Sequence, residues 1–392
     1  MTLSASQLTD LNRAVGGAYP DRTTAMNDAL DRGLLFPRLL DGMVESRYIS
    51  AGLDINHPIK LADTGAAREY GVAQDRTWVR EEALENLKFY NRKTDTHFVI
   101  TDDELVAGGL AGGITDYNAH VFVDIKHSKE QDAITSKWNL FDDQLAAVPN
   151  AAKMEGALSA TAISPHSIFQ VINEEANGLP SGFTEHAGQS PTAAGIGSNY
   201  TCVQETYSSD ALSTFDTPLE ALDRGRRKAQ YPAPRTFAEY FERDDMRRAM
   251  ILASNLGVNS WEFLNRNGQQ NWEKFGEGGV YTPMHHGIPV QYWAKMDDAA
   301  IYDDGSSGLV TETDASALAQ GPRFMGVNGN FMHPTINGSR FWYPDEVFRN
   351  TPDQPETWIF RYVTWWNLTW TSLRRHFHVA PKSGGSLFTA AF

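Results

Sequence analysis

The chain has 392 residues, 41% hydrophobic and 21% charged, a globular composition that excludes an intrinsically disordered protein. Its formal charge of -15 at pH 7 argues against a protein that grips nucleic acid by neutralising phosphates. The lone cysteine, Cys202, excludes an internal disulfide and a cysteine-rich zinc site, and fits folding in a reducing cytoplasm.

This length accommodates two or three subdomains with apolar cores of their own. The opening Met1-Thr2-Leu3-Ser4-Ala5-Ser6 has neither the basic run nor the apolar core of a secretory signal. The longest apolar region, near residues 249–253, is strand-sized and far short of a membrane span. Glycosylation-type triplets begin at Asn199, Asn337 and Asn367, about what chance supplies.

The first twenty residues are polar, with Gly16-Gly17 and Pro20, and read as an arm lying on a surface. Residues 24–45 carry apolar patches (Leu34, Leu35, Phe36, Leu39, Leu40, Met43, Val44), predicting two short helical pieces with a break at Pro37. Residues 50–96 interleave charge and glycine with few large apolar side chains. Such a stretch predicts an extended two-stranded loop that needs a neighbouring molecule to bury it.

Phe98-Val99-Ile100 predicts a short strand, and the glycine-rich residues 108–113 a flexible hinge. Ser128 and Gln131 have the spacing of a capping box opening a helix over 129–148. Ile134, Trp138, Phe141, Leu145 and Val148 form its apolar stripe, Pro149 ends it, and its length is roughly 30 Å. Residues 178–197 read as a loop.

Thr217, Pro218 and Glu220 supply N-cap, first-turn proline and capping acid for another helix, with Arg226, Arg227 and Lys228 in its last turn. Thr236 with Glu239 repeats the box. Met250-Ile251-Leu252-Ala253 is a strand, and Asn259 and Glu262 open a short helix through Trp261 and Leu264. Ile288, Val290 and Tyr292 alternate as one face of a strand, and residues 297–321 are loop-like. Near the C-terminus Trp358, Phe360 and Tyr362 lie on one face and Ile359 and Val363 on the other. That strand is buried on both sides, or on one side with another chain covering the second. There is no internal repeat.

Reaction-centre motifs are missing. No phosphate-binding string exists, and Gly188-Gln189-Ser190-Pro191-Thr192 fails the nucleophile elbow at its last position. His376 and His378 share a strand face and could share an ion, but no third ligand is identifiable, which favours a sheet-surface pair. The adjacent His285 and His286 point to opposite faces of a strand. Acidic doublets (Asp102-Asp103, Asp142-Asp143, Asp244-Asp245, Asp297-Asp298, Asp303-Asp304) diverge rather than face each other and read as solvated faces and helix caps. The tryptophan-rich C-terminal region could stack sugars, but core and intersubunit packing explains it better. No catalytic, cofactor-binding or metal-ligating residue is therefore predicted, and no cofactor.

The order of parts resembles the major capsid protein of tailed bacteriophages, the Hong Kong 97 fold, an α+β architecture. The resemblance rests on the arm, the charged loop, the return through Phe98-Val99-Ile100-Thr101-Asp102-Asp103-Glu104-Leu105, and the long helix. It extends to Met250-Ile251-Leu252-Ala253-Ser254-Asn255, Trp261-Glu262-Phe263-Leu264, His286-Gly287-Ile288-Pro289-Val290, and Arg374-Arg375-His376 followed by Val379-Ala380-Pro381.

The resemblance implies an N-terminal arm over 1–49 and an E-loop over 50–112. It implies a peripheral domain over 113–239 with a spine helix at about 129–148, an axial domain over 240–345, and a return to the peripheral domain over 346–392. It further implies a non-enzymatic virion protein, made and assembled in the bacterial host cytoplasm, whose identical copies form hexamers and pentamers. Together these build an icosahedral shell around double-stranded DNA, without sequence-specific binding and without a membrane. The partners implied are a separate scaffolding protein, a portal and, further, a decoration protein. The alternatives are a soluble carbohydrate-active hydrolase, or a tail or baseplate adhesion protein, against which the lack of repeats counts.

Overall fold

The computed structural model describes residues 35–40, 48–49, 54–60, 84–101, 104, 116–172, 179, 182–190, 200–207, 217–230, 249–253, 272–275, 280–297, 323–337, 343–344, 348–349 and 357–381. In chain order, helix α1 (Leu35–Leu40) precedes strands β1 (Tyr48–Ile49), β2 (Asp54–Lys60), β3 (Leu84–Tyr90) and β4 (Arg92–Thr101). Helices α2 (Asp116–Leu145), α3 (Ala151–Met154) and α4 (Ile168–Val171) lead to β5 (Val203–Tyr207) and α5 (Pro218–Gln230). Strands β6 (Ala249–Ala253), β7 (Trp272–Phe275), β8 (Val280–His285) and β9 (Ile288–Tyr292) follow, then a 3₁₀ turn, Ala294–Asp297. The rest is β10 (Phe324–Asn328), β11 (Met332–Asn337), β12 (Tyr343–Pro344), β13 (Phe348–Arg349), β14 (Thr357–Trp370), a 3₁₀ turn at Leu373–Arg375, and β15 (Phe377–Pro381).

Strand β14 is the axis of the first sheet. Along one edge it pairs antiparallel with β4, from Thr357 opposite Thr101 to Trp366 opposite Arg92. Its other edge takes β11, β12 and β13 in turn, and β1 adds parallel to β11. The expected alternation holds over the first half of β14: Trp358, Phe360, Tyr362 and Thr364 are buried between half-exposed neighbours. From Trp366 to Trp370 every residue is buried, so only this end is covered on both faces.

The second sheet runs β5-β15-β10-β6-β9-β8-β7 and mixes parallel and antiparallel pairs. Its centre separates two cores. Met250, Leu252, Met325 and Val327 belong to the larger, shared with α1, α2 and β14, while Ile251, Ala253, Phe324 and Val379 join the smaller with Ala221 and Leu222 of α5. Burial on both faces is why β6 reads as an uninterrupted apolar run.

The β2–β3 hairpin realises the two-stranded loop, with Ile55, Ile59, Leu87 and Phe89 buried and Asp54, Asn56, Asn86 and Lys88 exposed. Its apolar face does not wait for a neighbouring molecule. Phe89 meets Trp370 edge-on at 4.7 Å, and Lys88 N donates to Ala187 O at 2.9 Å. The residues between these two strands lie outside the described set.

Other expectations are corrected. Helix α2 has 30 residues, beginning at Asp116 and ending at Leu145, so it is about 45 Å long at about 1.5 Å per residue. Ser128 is therefore interior, and Gln131 instead meets the ring of His127, one turn back, at 3.0 Å. No glycine or proline between 116 and 145 stops the helix from running through the apparent box. Val148 lies beyond the helix and is exposed.

Past Pro149, Asn150 caps α3 by accepting from Lys153 N. Pro37 does not break a helix either. It sits in the first turn of α1, where its missing N–H has no intrahelical acceptor to lose. Strand β4 has ten residues rather than three. Of the local caps, Thr217–Glu220 forms as expected, Thr217 N donating to Glu220 Oε2 at 3.4 Å and Glu220 N to Thr217 Oγ1 at 3.3 Å. The Thr236–Glu239 box and the helix through Trp261 lie outside the described residues.

Close packing in the smaller core centres on Gly326 of β10. A Cβ there would lie 1.9 Å from Phe377 Cε1. Gly326→Ala is expected to lower unfolding free energy by about 2–3 kcal/mol, with Phe377→Leu in the same chain recovering part of the loss. Urea unfolding of the single and double variants reads both values.

Candidate functional site

Three groups of polar side chains are held where the elements meet. The first ties the body together. Asp142 on α2 is buried, and its Oδ1 accepts from Leu35 N at 2.8 Å and Phe36 N at 3.4 Å, capping α1 from 106 and 107 residues away. Its Oδ2 accepts from Trp293 Nε1 at 3.4 Å. Burial raises the Asp142 pKa, and these donors pull it partly back. Arg92, at the start of β4, is fully buried and donates to Ala162 O, Met154 O and Gly156 O at 2.7–2.9 Å, fixing the loop after α3. Asn367 accepts from His166 N at 2.8 Å and donates to Tyr90 O at 2.8 Å, joining β14 to the hairpin's end.

The second group lies on α2 where it crosses the first sheet. Lys126 and Glu130 form a buried i,i+4 pair at 3.7 Å. Burial lowers the Lys126 pKa, with Glu130 opposing. Lys137 is 2% exposed, with its ammonium 5.8 Å from the Phe141 ring centroid. Burial lowers its pKa to about 7, and the charge of Asp95 offsets only part of that. Upstream of Ala133 the buried positions 126 and 130 carry Lys126 and Glu130, so the apolar pattern that marks the rest of the helix does not extend to them.

The third group joins α5 to the β8–β9 hairpin. His285 Nε2 lies 3.1 Å from Asp223 Oδ1, and His286 Nε2 lies 3.0 Å from the same oxygen. The histidines do not diverge as adjacent strand residues would. His286 and Gly287 form a two-residue turn with φ of 51° and 82°, the type I′ geometry, which swings the His286 ring back beside His285. Arg227 donates to Asp223 Oδ2 at 3.1 Å, and Arg226 Nε is 3.6 Å from Oδ1. Burial lowers the His285 pKa to about 4. Burial alone would raise the Asp223 pKa, but His285, His286 and Arg226 together hold it below the usual carboxylate range.

The remaining sequence candidates separate. His376 and His378 are buried at 0% and 2% exposure rather than on a sheet surface, and only His378 lies within β15. His376 closes the preceding 3₁₀ turn, and its Nδ1 accepts from Asn328 N at 3.2 Å. The residues around Gly188 make a second tight turn, His186 pairing with Gln189 and Ala187 and Gly188 at positive φ, not a nucleophile elbow. Asp142 is a cap, and its neighbour Asp143 is exposed and meets Lys295. Trp366 and Trp370 are fully buried, core residues rather than a sugar platform. The 108–113 glycines and the doublets at 102–103, 244–245 and 303–304 lie outside the described residues. Among those described, no helix is long and apolar enough to cross a membrane.

No protein-family model matches the sequence, and no curated protein matches it. Solved structures do. The capsid asymmetric unit of Cyanophage A-1(L) superposes with a TM-score of 0.52 at 13% identity, over 88% of this chain and 93% of that one. The mature capsid of bacteriophage PhiM1 gives 0.40 at 12% identity, over 85% and 83%. A chain from Mycobacterium phage Che8 gives 0.39 at 11%, over 90% and 92%. The cyanophage superposition shows that this chain shares the mixed helix-and-sheet fold of that capsid chain.

Lys137 gives a pH signature. Between about pH 7 and pH 10.5 the unfolded chain holds a proton that the folded one has lost, so this residue's contribution to stability rises with pH across that window. Lys137→Met is expected to be more stable than the parent by about 2–4 kcal/mol near neutrality, the gap closing towards pH 10. Urea titrations at several pH values test this. Parallel stability curves for the two proteins would contradict it.

Proposed function

We propose that the chain is the major capsid protein of a tailed phage, a non-catalytic shell subunit of the Hong Kong 97 type. The observation that carries this reading is the capsid-subunit fold shared over 88% of the chain with the cyanophage protein. The two-stranded hairpin β2–β3, packed on its own body through Phe89 and Lys88 and lying where this reading puts the E-loop, supports it.

In this reading residues 50–112 form the E-loop and 1–49 the arm. The peripheral domain covers 113–239 and 346–392 with α2 as its spine, and 240–345 is the axial domain. Copies close around five- and six-fold axes into an icosahedral shell enclosing double-stranded DNA, assembled in the bacterial host cytoplasm with a separate scaffolding protein and a portal. A decoration protein is the further partner. The charge of -15 suits a shell that confines DNA without gripping it.

Expression in bacteria with its scaffolding protein is expected to give closed particles of megadalton mass in negative stain. Replacing residues 61–83 with a short Gly-Ser linker is expected to leave a folded subunit that makes no particles. A parent protein that stays a 43.6 kDa monomer at high concentration and turns over a glycan would overturn the reading.

A further inference from the structure

Asp223, His285 and His286 are the one group of three or more His, Cys, Asp or Glu residues, among those described, whose ligand atoms lie within 4.8 Å of one another. The three atoms are Asp223 Oδ1 and both Nε2 atoms. With separations of 3.0 and 3.1 Å from the shared oxygen and all three atoms within 4.8 Å of one another, a point about 2.0–2.5 Å from each exists, at or near the bond length of zinc to imidazole and carboxylate. One carboxylate and two imidazoles are a borderline donor set that favours zinc, cobalt or nickel over calcium or magnesium.

The backbone supports this. A type I′ turn favours Asn-Gly, yet here a histidine occupies the first left-handed position, where a non-glycine residue costs about 1 kcal/mol or more. That choice places the ring nitrogen against Asp223 while leaving the ring partly open to solvent. Arg227 stays on Oδ2, where it orients the carboxylate and leaves Oδ1 to the ion. Arg226, at 3.6 Å the longest contact to Oδ1, is the one that must swing aside.

We propose that Asp223, His285 and His286 bind one zinc-class divalent cation, with a fourth position open to water. The ion staples α5 to the β8–β9 hairpin at the edge of the smaller core, which α5 and β9 already share through Ala221, Leu222, Ile288 and Val290. His285 is 8% exposed and His286 faces outward, which gives the ion a buried seat with an entry from solvent.

The test uses the full chain, stripped with chelator and dialysed. Added Co²⁺ is expected to give visible d–d absorption saturating at one equivalent, and added Zn²⁺ to raise the thermal midpoint by several degrees. His286→Asn keeps a residue suited to the left-handed turn while removing one ligand. It is expected to fold with an unchanged or higher midpoint without metal, and to lose both the Co²⁺ band and the Zn²⁺ shift. Asp223→Asn is expected to weaken Zn²⁺ binding by at least tenfold. The proposal falls if the parent shows neither response, or if His286→Asn and Asp223→Asn respond as the parent does, which would place the ion on other histidines.

Discussion

The last five residues of β14 are the constraint on which the body depends. Trp366, Leu368 and Trp370 are fully buried within the larger core, and Asn367 and Thr369 between them are equally enclosed. A polar side chain in that setting needs partners. Asn367 bonds His166 N and Tyr90 O, while the Thr369 and Thr335 hydroxyls meet at 2.6 Å across the β11–β14 pair. Trp370 donates to Tyr200 Oη at 2.9 Å. Phe36 of α1 packs edge-on against Trp366 at 4.8 Å, and Phe89 of the hairpin against Trp370. One strand end thus locates α1, the segment leading into α4 at His166, the hairpin and, through Phe141, α2.

The described strands of the hairpin are committed to their own chain by apolar burial of Ile55, Ile59, Leu87 and Phe89. The half of β14 before Trp366 is covered on one face and half-exposed on the other. The buried charges on α2 add little to stability. Lys126 with Glu130 and the buried Lys137 ammonium cost desolvation that neighbouring charges only partly return.

Features written in adjacent residues were legible in the sequence, and those written across distance were not. The Thr217–Glu220 box, the alternation from Trp358 to Tyr362 and the apolar run of β6 each depend on neighbours within a few positions, and each forms. The Ser128–Gln131 box satisfied a local pattern and misled, because a helix begins where the chain first can rather than where a cap recurs. Arg92 lies within the 50–96 stretch that reads as an extended loop, and nothing nearby in sequence reveals that the carbonyls of Met154, Gly156 and Ala162 converge on it. The Asp223–His285 contact spans 62 residues. The one signal that could have found it is His286-Gly287 between two strands, the mark of a two-residue hairpin that reverses the side chain before it.

The central claim is that the end of β14 and the root of the hairpin form one cooperative unit within a single subunit. Amide hydrogen exchange on the unassembled protein tests it most directly. The account predicts that amides at 87–90 and 366–370 share the slowest exchange class and open together when denaturant is added below the unfolding midpoint. Exchange at 87–90 as fast as in an unpaired loop, while 366–370 stays protected, would contradict it.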